Sequence, residues 1–474
     1  MSGDPSVVEL LERLAERDGL IDALRAELRA AQVKIGELEA RLGTTSKNSS
    51  KPPSQDGLGK PAPKSLRTRS GRKPGGQPGH PGSRLAQVAT PNERVRHEPA
   101  ACSGCGAGLG GAEEVGAQRR QVFDLPPVAV RVVEHQLIAH RCGCGTVTAG
   151  QAPAGVDAPV QYGPRIAAII IYLYVGQFLS KQRTAQALSE LFGVPVSGGT
   201  VASVTDRAAT AVTDSGFLGL VRAGLVKAPV AHFDETGFRV AGKLHWVHSA
   251  STEAYSLITC HAKRGVAAMD AAGVLPEFAG VAVHDAWAPY DTYTGATHAL
   301  CGAHVLRELT AVIDTSPAGA YCWARQAQAA LLDLKALVDD AAAGGRPSVN
   351  PVELAVQTRL LRSAANIGIS ENRDRDGKLA KKHHALARRL LNRQTDYLRF
   401  TTDFAVPFDN NPAEREIRMI KVRQKVSGCL RTLSGAETFC ALRSYLATAR
   451  KQGTDFFEAL TMLTEGNPRL PAAA

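Results

Sequence analysis

The chain has no apolar run of the roughly 20 residues that a membrane-spanning helix needs. Its longest, "IAAIIIYLYV" from Ile166, is far shorter. No succession of basic, apolar and small residues opens it, so it does not read as secreted. Its nine cysteines are therefore expected as thiols or metal ligands of a cytoplasmic protein, not as disulfides. Acid is scarcer than base: 45 Asp and Glu against 56 Lys and Arg leave a formal charge of +11. That balance disfavours an acidic small substrate and favours a polyanion such as nucleic acid. The 44% hydrophobic and 21% charged residues are ordinary for a globular protein, and the length suits about three domains.

Apolar residues then recur at heptad spacing: Val7, Leu14, Ile21, Leu28, Ile35 and Leu42, with Leu10, Leu24, Ala31 and Leu38 three residues on and Arg17 breaking that second series. Filled a and d positions predict a coiled coil over 1–42, and with it a homo-oligomer, at least a dimer. The alternative is one amphipathic helix docked on its own domain. Residues 43–84 mix Pro, Gly and Ser with nine Lys and Arg and a single acid, Asp56. A basic linker over 43–91, unable to bury enough apolar surface to order itself, is expected; it is either a salt-sensitive phosphate contact or an inert tether.

Between 92 and 155 lie "CSGC", with Cys102 and Cys105, and "HRCGCG", with Cys142 and Cys144, flanking strand-like stretches such as "VAVRVVEHQLIAH". Four thiolates brought together by a hairpin suit a structural Zn²⁺, with His140 or His135 able to replace one sulfur; reduced cysteines in a metal-free segment are the alternative. Over 160–225, "SKQRTAQALSELFG", a Val-Pro-Val turn and "SGGTVASVTDRAATA" read as a helix-turn-helix or as two ordinary packed helices.

From Pro229 the pattern turns to strand: "VAHFDETGFRV", "KLHWVHSAST" and "AYSLITCHA", then a helix-like stretch and "GVAVHDAW". Three strands, a helix and a strand, with Asp234 at the end of the first and Asp285 at the end of the fourth, is the layout of an RNase H-like sheet. The two aspartates are 51 residues apart and can share a cation. Converging carboxylates repel unless divalent ions join them. Two Mg²⁺ or Mn²⁺ ions in one site suit in-line phosphoryl displacement. His284, beside Asp285, points to the other face of such a strand. Residues 301–400 read as a helical insertion, and 229–300 with 401–450 as the catalytic domain it interrupts. Cys301 and His304 in the insertion's "CGAHVLREL" read, on chemistry alone, as packed or capping residues. The lone cysteines 260, 322, 429 and 440 read as core, and 451–474 as a tail.

"DNNPAEREIRMIKVRQK", residues 409–425, reads locally as a helix start: Asn411 can cap, Pro412 suits the first position, and Glu414 falls at the third, where a carboxylate meets the dipole. Arg415, Arg418, Lys421, Arg423 and Lys425 are candidate phosphate contacts, or simply a solvated helix face.

"HFDETGFRVAGKLHWVHSAST", "VHDAWAPYDTY", "HALCGAHVLREL", "DNNPAEREIR" and "RSYLATARKQG", with "SKNSSKPPSQDG" and "RKPGGQPGHPG" upstream, resemble the transposases of the insertion sequence 66 family. The resemblance runs from the heptads to about residue 460. It implies a DDE transposase that binds the ends of an insertion sequence and target DNA, with Asp234, Asp285 and Glu414 as the acids, and a role beside the active site for Cys301 and His304. The family's zinc segment usually carries two Cys-x-x-Cys pairs, whereas this chain has Cys142-Gly-Cys144. The whole is a multidomain α+β protein: coiled coil, zinc-binding β segment, helix-turn-helix domain and RNase H-like α/β catalytic domain with its helical insertion. Competing readings are a catalytically silent DNA-binding derivative, a nuclease without strand transfer, and a zinc-containing transcription factor, which would leave residues 229–440 without purpose.

Overall fold

The computed structural model describes residues 6–49, 85–317 and 319–472; most of the basic linker therefore lies outside the described residues. The heptads form one helix, α1 (Val7–Leu42), opened by a capping box in which Ser6 Oγ accepts the Glu9 N–H and the Glu9 carboxylate accepts the Ser6 N–H. Its apolar stripe faces solvent, Leu24 being 55% and Leu28 59% exposed. The helix meets the rest of the chain near its C-terminal end, where Glu37 accepts the Lys378 N–H at 2.8 Å.

Residues 92–155 hold a small hairpin, β1 (Ala139–Arg141) and β2 (Val147–Ala149), paired antiparallel. The strand-like run before it is mostly irregular: Val128–Ile138 pairs with no strand, and a β-favourable composition without a partner to pair with does not make a sheet. Helices α2 (Pro164–Ile171), α3 (Lys181–Phe192), α4 (Gly198–Asp214) and α5 (Phe217–Val226) follow. Ser180 and Ser197 cap α3 and α4, and Gly193 in the left-handed region ends α3. These helices do not form a domain of their own. Ile171, Val201, Val204, Val212 and Leu225 belong to one buried cluster with the sheet and the C-terminal helices.

The sheet comprises β3 (Val230–Val240), β4 (Lys243–Ser251), β5 (Ser256–His261), β6 (Val281–His284) and β7 (Thr297–Leu300) in the order β5-β4-β3-β6-β7. Strands β3, β4 and β5 form an antiparallel meander. The β3–β4 turn is tight because Ala241 and Gly242 both take positive φ, 48° and 76°, the two-residue geometry that matches strand twist. Helix α6 (Val266–Ala272) carries the chain to β6, which pairs parallel with β3, while β7 pairs parallel with β6. Gly280 starts β6 against the β3 entrance: a Cβ there would lie 2.4 Å from Ala228 O, so only glycine lets the two backbones approach.

Helices α7 (Gly302–Asp314), α8 (Trp323–Ala343), α9 (Pro351–Arg373), α10 (Lys378–Asn392) and α11 (Gln394–Tyr397) build the insertion around a second core that includes Leu309, Trp323, Leu331, Leu361 and Leu390. The chain returns through α12 (Asn411–Ser427), α13 (Leu433–Lys451) and α14 (Phe456–Thr464). Residues 451–474 are thus more than a tail: Ala459, Leu460 and Leu463 are buried in the main core. Of the lone cysteines, Cys322 and Cys440 are buried, Cys260 is half-buried and Cys429 is exposed. Cys429 follows the positive-φ Gly428 that ends α12, a turn that carries it to the surface. No helix among the described residues is long and apolar enough to cross a membrane.

Candidate active site

Asp234 lies within β3, which continues to Val240, instead of at a strand end. The parallel register pairs Val230 with Val281 and His232 with Val283. Extended by two residues, it sets Asp234 beside Asp285, the residue after β6. Helix α12 packs over β3 and β4 and brings Glu414 to the same place. The charges of Glu414 and Asp285 both push the Asp234 carboxyl up, after burial, the largest cause, and after neighbouring Glu235. The Asp285 carboxyl is pushed up to about 6, first by burial and then by Glu235, while the Trp287 N–H donated to Asp285 Oδ1 at 3.0 Å pulls the other way. Three strand and helix segments far apart in sequence therefore bring carboxylates close enough for the charges of Asp285 and Glu414 to act on Asp234, although the oxygens of the three do not all lie within 4.8 Å of one another, and burial makes ionisation of the two aspartates costly. A divalent cation relieves that cost with the oxygen ligands it prefers.

The start of α12 differs from its sequence reading. The helix begins one residue earlier, at Asn411, and Asn410 is the cap position without a side-chain cap bond. The Asn410 side chain is fully buried and occupied elsewhere: Oδ1 faces His232 Nδ1 at 2.9 Å and Nδ2 donates to Phe233 O at 2.7 Å. The Asn410 N–H donates to Cys301 Sγ at 3.3 Å, and the Gly302 N–H to Phe408 O at 2.8 Å. These bonds tie both ends of the insertion to the strand that carries Asp234. Glu414 is consequently the fourth helical residue, its N–H given to Asn410 O at 3.1 Å, and its carboxylate is free of the cap. Glu414 Oε1 lies 3.7 Å from His304 Nδ1 and 3.8 Å from an Arg307 guanidinium nitrogen. His304 is held neutral, pushed down to about 3 by burial and then by Arg307. Glu416 turns away toward Arg443, 3.8 Å off.

Sequence reading overlooked Glu235. Its side chain is 2% exposed, accepts two bonds from Arg264 at 3.0 and 2.6 Å, and accepts the Tyr290 hydroxyl at 2.6 Å. Arg264 is stacked on Trp287 at 3.8 Å and on Trp246 at 4.8 Å. Two adjacent acids on a buried strand were the available signal, because alternation sends Asp234 and Glu235 to opposite faces and the inward one needs a partner. His284 is fully buried, stacked on Tyr290 and within 3.0 Å of His298 Nδ1.

The candidate phosphate contacts divide. Arg415, Arg418 and Lys425 are exposed. Arg423 is only 3% exposed, donates to Gly428 O and packs its guanidinium against Tyr174 and Phe439, so it is a core cation and not a phosphate ligand. Lys421 is half-buried with its ammonium given to Gly237 O. Both fall on the α12 face that packs down, with Ile417 and Ile420.

The cysteines of 92–155 occupy two similar turns. Cys102 N donates to Ala107 O and Gly106 N to Cys102 O; Cys142 N donates to Thr146 O and Gly145 N to Cys142 O. Gly106 and Gly145 take positive φ, 76° and 89°. Each turn thus presents one thiol pair, and the Cys144 thiol is lowered to about 7, first by a hydrogen bond with the Thr146 hydroxyl. The donor chemistry fits zinc, but no three of these sulfurs lie within 4.8 Å of one another. The group of three among the described residues that does is Cys301, His304 and Glu414.

Three family descriptions match. "Transposase IS66 family" matches residues 159–438, "zinc-finger binding domain of transposase IS66" residues 99–145, and "Family of unknown function (DUF6444)" residues 3–86. No curated protein matches the chain. The zinc-finger match supports a structural zinc in the segment of the two cysteine turns. The first match spans the helices, the sheet, the insertion and all three acids, more than half of the sequence; this chain belongs to the IS66 transposase family.

Proposed function

We propose that the chain is a DDE transposase that binds the ends of an insertion sequence, cleaves a DNA strand there and joins the freed 3′ hydroxyl to target DNA. The observation that supports it best is that Asp285, set beside Asp234 by the strand register, and Glu414 on α12 both lie near enough for their charges to act on the Asp234 carboxyl. The β5-β4-β3-β6-β7 order, antiparallel on one side of β3 and parallel on the other, supports reading the sheet as RNase H-like. Two Mg²⁺ or Mn²⁺ ions, when bound, would activate the attacking oxygen and stabilise the leaving one. The chain's own part is to orient three carboxylates; burial opposes ionisation of the two aspartates, so bound ions would favour the charged forms. Trp287 N–H fixes Asp285, and the Asn410 bonds fix where α12 begins, hence where Glu414 points. Arg415, Arg418 and Lys425 supply exposed cations along α12 for the DNA backbone.

The other parts suit the handling of two DNA ends. Helices α3 and α4 act as the helix-turn-helix. The zinc is held by Cys102, Cys105, Cys142 and Cys144, which requires the two turns to close on each other around the metal. The exposed heptad stripe of α1 pairs with a second copy, bringing two active sites to one synapse. The test is strand cleavage and joining on end-containing DNA with Mg²⁺ or Mn²⁺. Asp234→Ala, Asp285→Ala and Glu414→Ala should each abolish both while the protein stays folded. Full cleavage by any one of them removes that acid from the site. Nicks without joined products would reduce the activity to that of a nuclease.

A further inference from the structure

We propose that Cys301, His304 and Glu414 form a second metal site, one that takes zinc-like ions in preference to magnesium, immediately beside the Asp234 and Asp285 carboxylates. The Cys301 sulfur, a His304 ring nitrogen and a Glu414 oxygen all lie within 4.8 Å of one another. The arrangement follows from the chain. Cys301 stands at the cap position of α7 and His304 on its first turn, so the Cys-x-x-His spacing puts both on one face. Glu414 comes down from α12, which the Asn410 N–H bond to Cys301 Sγ holds in place.

The donors are a thiol sulfur, an imidazole nitrogen and one carboxylate oxygen. Such a set suits zinc, cobalt or cadmium and not magnesium, which wants oxygens. Three protein ligands with a fourth position open is the pattern of a reactive zinc site, not a closed structural one. His304 Nδ1 is buried and has no hydrogen-bond partner, an orphan that a metal satisfies. The imidazole is already neutral, as a ligand must be. The Cys301 thiol is pushed up to about 12 by its burial, so the metal must expel that proton on binding, and affinity rises with pH. The Arg307 guanidinium, 3.8 Å from Glu414, opposes the cation, so binding has to overcome that repulsion.

The consequence rests on the reading of Glu414 as the third acid. Both sites draw on the Glu414 carboxylate, so a zinc-like ion competes for it with the magnesium site and inhibits cleavage. The test titrates Co²⁺ into the full-length protein whose zinc segment has been loaded with a single equivalent of Zn²⁺, in excess Mg²⁺. One further equivalent should bind, with the near-ultraviolet absorption of a thiolate–cobalt bond. Cys301→Ser should abolish that band. His304→Gln, which keeps the thiol and changes a side chain 22% exposed, should weaken binding by more than about tenfold. No band in the folded wild type, or a band unaltered in both variants, overturns the proposal. Zn²⁺ added to a Mg²⁺-supported reaction should inhibit the wild type and inhibit His304→Gln less. Cobalt binding without any Mg²⁺-dependent cleavage would sink the transposase chemistry and leave the metal site standing, so the two failures are separable.

Discussion

Replacing Asp285 by asparagine should stabilise the metal-free protein while destroying its catalysis. Burial and Glu235 raise the Asp285 carboxyl from 3.8 to about 6. At about 1.4 kcal/mol for each tenfold change in proton affinity, that is about 3 kcal/mol of destabilisation at full ionisation, reduced to about 1–3 kcal/mol because the group is only half-buried. The sign follows from linkage: the folded protein holds this proton more tightly than the unfolded chain, so the cost is absent below about pH 4 and complete above about pH 6. Asparagine has no charge to bury and keeps an oxygen for the Trp287 N–H. The assay is urea unfolding followed by tryptophan fluorescence, since Trp246 and Trp287 flank the site. Asp285→Asn should show a higher midpoint than wild type at pH 8, and the gap should close at pH 4. Magnesium should raise the wild-type midpoint and leave the variant unmoved. A variant less stable than wild type at pH 8, or an advantage that persists at pH 4, would refute the reasoning.

Three further outcomes are expected. Gly302→Ala places a Cβ 2.3 Å from the Phe408 ring and should cost about 1–3 kcal/mol by overpacking, read as a lower urea midpoint together with lost cleavage. Arg264→Ala leaves Glu235 buried with Tyr290 as its remaining partner and should cost about 2–4 kcal/mol, allowing for the guanidinium's own 36% exposure; Glu235→Gln, which needs no counter-charge, should cost less by the same measurement. Leu24→Asp with Leu28→Asp, both on the exposed stripe of α1, should convert an oligomer to monomer in sedimentation while the midpoint of the sheet's unfolding stays put.

Much of the sheet was legible because strands leave period-two patterns and the connection lengths allow few topologies. That layout suggests Asp234 and Asp285 as a pair, and the register does set them side by side. Glu414 is not suggested that way, since its local sequence favours a helix start, and the proposal that it is the third acid leans on the family resemblance. The cap assignment failed for a tertiary reason: Asn410 finds better partners in His232 and Phe233 than in its own helix. Arg423 was misplaced because a basic stretch hides which cations its helix turns inward. The separateness of the helices at 160–225 was misjudged because apolar faces do not name what they pack against, and here they pack on the sheet and on α14. The irregular run before β1 shows strand propensity outvoted by the lack of a neighbour.

The two bonds that join Cys301 to Asn410 and Gly302 to Phe408 have an architectural consequence. Residues 303–407 leave the sheet and rejoin it through this clasp, with further ties where Arg393 meets Asp291 and Arg399 donates to His298 O. Most of their core is their own, although Leu300 at the end of β7 belongs to it. For a flexible loop, doubling the length between fixed ends costs only about 0.6 kcal/mol. The α8–α9 connection, on the far side of the clasp, can therefore be lengthened with little strain reaching the acids, whereas α7, which carries His304 and Arg307 to Glu414, cannot be exchanged so freely. Variation can accumulate in that connection while the placement of Asp234, Asp285 and Glu414 stays fixed.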